Sequence, residues 1–170
     1  MNFETFFLLR LYIQQSKMKI EDLLKTNSNL SLTKRAIVSI LYTYGLVNNK
    51  LNDVLKPFDI SIQQFNVLRI LRGQKGVPVT LEIVQELMVN KMSNTTRLID
   101  KLIKKGYVNK SPNKKNGRKI DITISQEGLN FLEHIDIMID SKENEIISSL
   151  TDDETIELVR LLGKIRLIAN

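Results

Sequence analysis

The sequence predicts a mostly α-helical protein with one small β-hairpin in its second half. Only seven Gly and three Pro occur in 170 residues, and 42% of the residues are hydrophobic, so few positions favour a break in a helix. Apolar side chains recur at three- and four-residue steps along most of the chain, whereas they alternate with polar ones at residues 119–124. The length allows one sizeable core, with or without an appendage.

The beginning of the chain differs from the rest. Residues 1–17 contain three of the six Phe and precede Met18, after which the composition becomes ordinary. One interpretation makes Met18 the biological start, and the other makes the segment an additional amphipathic helix that packs on the body. Its longest apolar stretch, from Phe6 to Ile13, is interrupted by Arg10, is too short to span a membrane, and lacks the flanks of a signal peptide. We therefore expect a cytoplasmic protein.

A long amphipathic helix is expected from Thr33 to about Lys56, where Pro57 ends it. Its apolar stripe consists of Ile37, Ile40, Leu41, Tyr44, Val47, Leu51, Val54 and Leu55. Ser61 followed by Gln64 is typical of a capping box, in which each residue's side chain bonds to the other's backbone N–H. A second helix is therefore predicted there, and its expected buried residues are Phe65, Leu68 and Leu71.

Two short helices joined by a tight turn are expected next. Gly73 ends the second helix, and a short extended piece at residues 77–79 leads to Thr80, which is expected to cap the third helix. The apolar residues of that helix are Leu81, Val84, Leu87 and Met88. Ser93 is expected to cap the fourth helix, which ends at Gly106. Two short helices in this order are typical of a helix-turn-helix motif.

The hydrophobic period changes from helical to two after Gly106. Isoleucines alternate with polar residues at 120–124, which predicts a half-buried strand, and the turn signal Asn116-Gly117 precedes it. Residues 107–110 are the expected partner strand. The sequence therefore predicts a β-hairpin directly after the fourth helix.

Two more helices are expected after the hairpin. Ser125 starts a long one that runs to about Ile147, and Thr151 with Glu154 predicts a capping box at the start of the last. The last helix has more apolar residues than one buried stripe needs: Ile156, Leu158, Val159, Leu161, Leu162, Ile165, Leu167 and Ile168.

The charge of the chain is concentrated in its middle. The net charge is +6, but residues 91–119 carry ten basic side chains and one acidic, for a local charge of +9. Residues 121–170 carry four basic and eleven acidic side chains, for a local charge of −7. A polyanion would be attracted to the first window and repelled by the second. The alternative is a lysine-rich face that serves only solubility. Such a face would not explain why acidic residues are almost absent from this one window.

The fourth helix concentrates this charge on one side. One face is apolar and consists of Leu98, Ile99, Leu102 and Ile103, and the opposite face carries Asn94, Arg97, Lys101 and Lys104. Short polar side chains at the amino end of a helix either contact an anion or a base edge, or simply cap the helix. Capping is the favoured role for Ser93, and Arg97 has the alternative of pairing with Asp100.

The helix order and several residues resemble one known family, the MarR-type regulators. The similar stretches are residues 64–68, 93–108, Gly117-Arg118, 120–125 and Gly128. They correspond to the start of the family's second helix, its recognition helix, its wing and the start of the helix after the wing. The resemblance covers about residues 33–168.

The resemblance implies a winged helix-turn-helix that is flanked by long terminal helices. It implies a homodimer that binds a pseudo-palindromic site in double-stranded DNA, with the recognition helix in the major groove and the wing in the minor groove. The DNA-contacting residues it predicts are Ser93, Asn94, Thr95, Arg97, Lys101, Lys114, Lys115, Arg118 and Lys119. Arg118 matches the family's wing arginine, whereas Asn116 departs from the family, whose members commonly have Asp there.

The expected divisions of the chain follow from this resemblance. They are an N-terminal extension (1–30), a first dimerisation helix (31–58), a DNA-binding lobe (59–125) and C-terminal dimerisation helices (126–170). No cofactor, metal or membrane partner is expected. The family often binds a small-molecule effector between its dimer and DNA lobes, but no residue here identifies one.

Two other classes of function are weaker alternatives. A winged helix that serves only protein interaction would not need the +9 window. An enzyme would need chemistry that is hard to find, because the chain has no Cys, a single His and no Gly-rich phosphate loop. The single histidine, His134, is expected to lie on a helix surface or in the core rather than at a catalytic site.

Overall fold

The computed structural model describes residues 20–25, 30–113, 116 and 119–167. These residues form α1 (Ile20–Leu23), α2 (Leu32–Leu55), α3 (Ile62–Gly73), α4 (Leu81–Leu87), α5 (Thr95–Lys104), β1 (Val108–Pro112), β2 (Ile120–Ile124), α6 (Gln126–Ile147) and α7 (Asp152–Arg166). A 3-10 turn at Lys56–Phe58 follows α2. The predicted fold class, mostly α with one small hairpin, is confirmed. No helix in this part of the chain is long and apolar enough to cross a membrane.

The chain divides into two units, residues 1–47 and 48–170. In the described part of the first unit, the Arg35 guanidinium pairs with the Glu21 carboxylate at 2.8 Å, and Ile20 is buried. The apolar side chains of α2 within this unit are largely exposed, in particular Leu32, Ile37, Ile40, Leu41 and Tyr44. The predicted amphipathic helix is therefore present, but the first part of its apolar stripe remains open to solvent. The helix predicted for residues 1–17 lies outside the described residues.

The second unit contains the hydrophobic core. Its buried side chains come from the end of α2, from α3 to α6 and from the hairpin, and the least exposed are Leu55, Val67, Leu68, Val84, Leu102, Leu132 and Ile135. Around Phe131, the Tyr107 ring stacks at 4.9 Å between centroids and the Phe58 ring packs edge-on at 5.8 Å. His134 is exposed on α6 and lies edge-on to Phe58, in agreement with its predicted surface position.

The α3 helix starts as predicted. The Ser61 hydroxyl accepts from the Gln64 backbone N–H at 3.2 Å, and the Gln64 carbonyl Oε1 accepts from the Ser61 backbone N–H at 2.9 Å. This capping box satisfies two backbone donors at the helix start. The helix ends at Gly73, and the three apolar residues predicted to be buried, Phe65, Leu68 and Leu71, are buried.

The segment before α4 differs in detail from its prediction. Thr80 occupies the position before α4, but its side chain makes no capping bond to the helix backbone. The Thr80 hydroxyl bonds instead to the carboxylate of Glu82, two residues ahead. Because the hydroxyl is used in this way, it does not cap the helix. Within the piece expected to be extended, Val79 exchanges two backbone hydrogen bonds with Ile122, of 3.1 and 2.8 Å. This bridge ties the segment to the hairpin.

The hairpin is longer than predicted at its first strand. Val108 pairs with Ile124 and the antiparallel register continues without interruption to Pro112, which pairs with Ile120. Proline is tolerated there because an edge strand leaves one side of its backbone unpaired. Ile122 is buried, whereas Ile120 is exposed at the far end of the hairpin, beyond the core. The predicted apolar alternation therefore describes burial correctly only near the core.

The open end of the hairpin meets the start of α6 in a closely packed junction. The Ser125 hydroxyl donates to the Gly106 carbonyl at 2.6 Å and accepts from the Gly128 N–H at 3.0 Å, which confirms Ser125 as the cap of α6. The Ser125 N–H donates to the Tyr107 carbonyl at 3.0 Å. A Cβ atom on Gly128 would lie 2.4 Å from that carbonyl oxygen and 2.8 Å from Ile124 Cγ1. Only glycine therefore fits at this position.

The last helix, α7, exposes most of its apolar side chains. The capping box between Thr151 and Glu154 is formed as predicted, with bonds of 2.8 and 3.3 Å. No residue of α7 is buried, and its exposed large apolar residues are Ile156, Leu158, Val159, Leu161 and Ile165. Leu167, just after the helix, is also exposed, and Ile168 lies outside the described residues. The predicted excess of apolar surface is confirmed for the described part of this helix.

We predict that Gly128→Ala lowers the free energy of unfolding by about 2–3 kcal/mol, because the added methyl group collides with backbone that cannot move aside. Urea denaturation at a fixed protein concentration measures the change. Gly73→Ala is the matched control: its added Cβ would meet no atom within 4 Å, so its free energy of unfolding should stay within about 0.5 kcal/mol of wild type. Equal stability of the two variants would contradict the proposed collision.

Candidate nucleic-acid interface

The α5 helix is capped by Asn94 rather than by Ser93. The Asn94 carbonyl Oδ1 accepts from the Arg97 backbone N–H at 3.1 Å. Ser93 lies one residue earlier, and its own N–H donates to the Asn90 carbonyl at 3.1 Å within the turn. The prediction that Ser93 caps this helix is wrong, because the turn uses Ser93 to close its own backbone. One face of the Asn94 amide is thus committed to the helix.

The orientation of α5 agrees with its prediction. Ile99 and Leu102 are buried in the core, and Leu98 and Ile103 pack partly against it. The side chains on the opposite face are exposed, namely Asn94, Arg97, Lys101 and Lys104. The helix therefore presents a polar, cationic face to solvent while its apolar face is fixed by the core.

An open groove of about 400 Å³ runs along this cationic face. It is lined by Gln63, Ser93, Asn94, Arg97, Leu98 and Lys101. The groove therefore brings together four of the residues predicted to contact DNA. It also adds Gln63, at the start of α3, which no local sequence pattern singled out because its proximity to α5 arises only from the packing of two helices.

Thr95 does not belong to this exposed face. Its side chain is only 2% exposed, and its hydroxyl donates to the carbonyl Oε1 of Gln85 on α4. The same Gln85 side chain donates through Nε2 to the Lys91 backbone carbonyl in the turn. The prediction of Thr95 as a DNA-contacting residue is corrected: it joins α5 to α4 through Gln85.

Gln85 is a positioning residue that sequence reasoning missed. A primary amide can donate and accept at once, and Gln85 uses both functions to connect the turn and the start of α5. Its partners lie six and ten residues further along the chain, so no helical or strand period relates them to it. The only local signal was a polar residue on a short helix.

The base of the wing is held to α4 by charge. The Lys119 ammonium lies 3.7 Å from the Glu82 carboxylate, and both side chains are well exposed to solvent. The Thr80 hydroxyl, the backbone N–H of Glu82 and the Lys119 charge hold the pKa of the Glu82 carboxyl below its ordinary value. Lys119 is thus exposed at the wing, where contact with DNA is predicted. The other three wing cations, Lys114, Lys115 and Arg118, lie outside the described residues.

Asn113 organises the start of the wing turn. Its Oδ1 accepts from the Asn116 backbone N–H at 2.8 Å, and its Nδ2 donates to the Asp121 carboxylate at 2.7 Å. Its backbone N–H donates to the Lys119 carbonyl at 3.0 Å. Asn113 therefore supports the wing turn next to Asn116, the position at which the chain departs from the family's usual Asp.

One lysine at the end of α5 serves the fold rather than the exposed face. The Lys105 ammonium pairs with the Asp59 carboxylate at 2.8 Å and donates to the Phe58 carbonyl at 3.4 Å. Its hydrogen bond and charge lower the pKa of the Asp59 carboxyl. Asp59 has a left-handed backbone, with φ of 52°, at the corner between the 3-10 turn and α3. One of the ten basic side chains in the +9 window, that of Lys105, therefore forms an ion pair within the molecule.

Comparison with known proteins places these elements in a family. The family model described as "MarR family" matches residues 60–120. The transcriptional regulator PecS of Dickeya dadantii is 28% identical over 123 residues, covering 71% of this chain and 73% of PecS. The multiple antibiotic resistance protein MarR of Escherichia coli is 31% identical over 126 residues, covering 71% of this chain and 85% of MarR.

A solved structure extends the similarity beyond the residues that the family model matches. A cysteine-to-serine variant of E. coli MarR, crystallised with operator DNA, superposes with a TM-score of 0.71 at 25% identity, covering 81% of this chain and 99% of that one. The family-model match spans the start of α3 to the start of β2, and so includes the turn, α5 and the wing. With a relative above 30% identity over most of both chains, this protein belongs to the MarR family.

Proposed function

We propose that this protein is a transcription regulator that binds double-stranded DNA as a homodimer, with α5 in the major groove and the hairpin at the minor groove. The observation that carries the proposal is the exposed cationic face of α5, whose opposite face is locked into the core. A helix held in this way can enter a groove without losing its orientation. The structure of the E. coli relative complexed with operator DNA supports DNA as the partner of this chain.

Electrostatics favours DNA over an uncharged partner. The window of residues 91–119 has a local charge of +9, and Arg97, Lys101 and Lys104 extend from one side of α5. Lysine and arginine side chains displace the counterions condensed on DNA, which supplies much of the affinity. The acidic residues of the chain lie mostly after residue 120, where they oppose DNA contact by the helices that follow the wing.

The residues around the groove take different roles in this proposal. Arg97 and Lys101 contact phosphates or base edges from the middle of α5. Asn94 lines the groove while its amide oxygen caps the helix. In the wing, Arg118 enters the narrow minor groove, and Lys114, Lys115 and Lys119 contact phosphates. Ser93 lines the same groove at the amino end of α5.

The homodimer rests on apolar surface that the isolated chain leaves exposed. In the first unit, α2 exposes part of its apolar stripe, and in the second unit, α7 buries none of its residues. Apolar area on two helices is of the kind that a second copy of the chain covers in a two-fold interface. A two-fold dimer presents two recognition helices, which requires a DNA site with two similar halves.

Selection of bound duplexes from genomic fragments tests the proposal directly. We expect the purified protein to enrich sites with two-fold pseudo-symmetry, whose half-sites are about one helical turn apart. Sedimentation of the same sample at micromolar concentration should show a species near twice 19.6 kDa. A monomer that binds DNA tightly, or a dimer that enriches no sequence, would contradict the proposal.

We predict that Arg97→Ala and Lys101→Ala each weaken binding and make its salt dependence shallower by about one phosphate contact, because each removes one exposed cation from the α5 face. Fluorescence anisotropy at several salt concentrations measures the slope. Lys164→Ala removes an exposed cation from α7 and serves as the control, with an unchanged slope expected. Equal slopes for all three variants would place the DNA elsewhere on the surface.

We predict that Asn94→Ser relaxes the preference among bases while the protein keeps its stability. The serine hydroxyl can replace the amide oxygen as the acceptor of the Arg97 N–H, so the cap is retained, but the amide's paired donor and acceptor are lost. Asn94→Ala should also lose the cap and about 1 kcal/mol of stability. Binding to a panel of single-base operator variants, with unfolding measured in parallel, separates the two effects. An unchanged base preference in Asn94→Ser would show that this amide reads no base.

A further inference from the structure

The turn between α4 and α5 displays two large apolar side chains to solvent. Met92 is 92% exposed and Val89 is 83% exposed, the two highest values among the large apolar residues that the structure describes. Neither belongs to the apolar faces of α2 and α7 discussed above. Met92 is followed directly by Ser93 and Asn94, which line the groove of the cationic face.

This exposure belongs to a braced turn. The Met92 backbone N–H donates to the Asn90 side-chain Oδ1 at 3.0 Å, and the Ser93 N–H donates to the Asn90 carbonyl at 3.1 Å. Gln85 binds the carbonyl of Lys91 and, through its other amide atom, the hydroxyl of Thr95. The Lys91 carbonyl before Met92 is therefore bound by α4, and the Ser93 carbonyl after it accepts from the Thr95 hydroxyl of α5 at 3.4 Å, so that the backbone around Met92 is tied to both helices.

The major groove of DNA offers one prominent apolar feature, the C5 methyl group of thymine. An apolar surface on another protein would also have to accept the positive charges near Met92, which come from Lys91, Arg97 and Lys101. DNA can meet both the cations and the apolar side chain. Its phosphates attract the cations, and the thymine methyl groups accept an apolar, flexible side chain.

We infer that Met92 contacts thymine methyl groups at the edge of the major groove and so contributes to sequence preference beside the polar residues of α5. This inference rests on the proposed function, since it assumes that α5 enters the major groove. Met92 differs from Asn94 and Arg97 in its chemistry: it recognises a methyl group by excluding water rather than by donating a hydrogen bond.

Deoxyuridine differs from thymidine only by the missing C5 methyl group, which makes it a sharp probe. The test replaces each thymine of the duplex enriched by the genomic selection, one position at a time, and measures the affinity of the wild-type protein. We expect at least one position in each half-site where the replacement weakens binding by about fourfold, the loss for one methyl group removed from an apolar contact.

The same series with Met92→Ala assigns the effect. We expect this variant to bind the unmodified duplex more weakly and to lose the deoxyuridine effect at that position, while Met92→Leu, which keeps an apolar side chain, retains it. Val89→Ala, an exposed apolar residue of the same turn, should keep the wild-type profile. Because Met92 is exposed, its variants should unfold like the wild type, which thermal denaturation checks.

Two results would overturn the inference without affecting the proposed function. One is a wild-type protein that binds the selected duplex but responds to deoxyuridine at no position. The other is a deoxyuridine effect that persists in Met92→Ala or disappears in Val89→Ala instead. Failure to enrich or bind any duplex would reject the proposed function itself, and the inference with it.

Discussion

The close approach of α6 to the open end of the hairpin is the constraint on which the DNA-binding lobe depends. Gly128 allows the α6 backbone to lie against the Tyr107 carbonyl, where any Cβ would collide. Ser125 closes the same junction with three hydrogen bonds, to Gly106, Tyr107 and Gly128. The end of α5, both strands and the start of α6 therefore meet at one point, with Gly106 in a left-handed conformation that turns the chain from helix to strand. The angle between recognition helix and wing is set there, because both elements leave the junction within a few residues.

Beyond that junction, α5 is held from several directions by interactions of different kinds. Its apolar residues Ile99 and Leu102 are buried in the core, which fixes the rotation of the helix about its axis. The Gln85 amide joins its first turn to α4, and the Lys105 ammonium joins its end to the corner at Asp59. The basic residues of the 91–119 window thus fall into two groups. Some, such as Lys105, hold the helix in place, and others are exposed to solvent on its surface. Preorganisation of this kind lowers the ordering cost of binding, so that more of the contact energy appears as affinity.

The exposed apolar residues of the chain form two groups with different consequences. On α2 and α7 they belong to long helices whose apolar stripes are exposed in the described part of the chain, as expected of surface that a second protomer covers. On the turn before α5 they are two single side chains beside a cationic groove, too small for a protein interface but suited to a groove with isolated methyl groups. In the proposed function, the same physical property, apolar area in water, supports self-association in one place and sequence preference in another.

Local signals in the sequence determined the helices from α2 to α7, both capping boxes and the cationic face of α5, because these depend on residues three or four positions apart on one element. The family itself was also recognisable from the residues of α5 and the wing. The choice of Asn94 over Ser93 as the cap is a local matter, because Asn94 bonds the Arg97 N–H three residues ahead, but the sequence offered two adjacent residues suited to the role. What only the tertiary structure decided are the features whose partners come from other elements, namely the burial of Thr95 against Gln85 and the place of Gln63 beside α5. The hairpin beyond residue 110 and the exposure of Ile120 belong to the same class, because strand pairing and the reach of the core are set across the chain rather than along it.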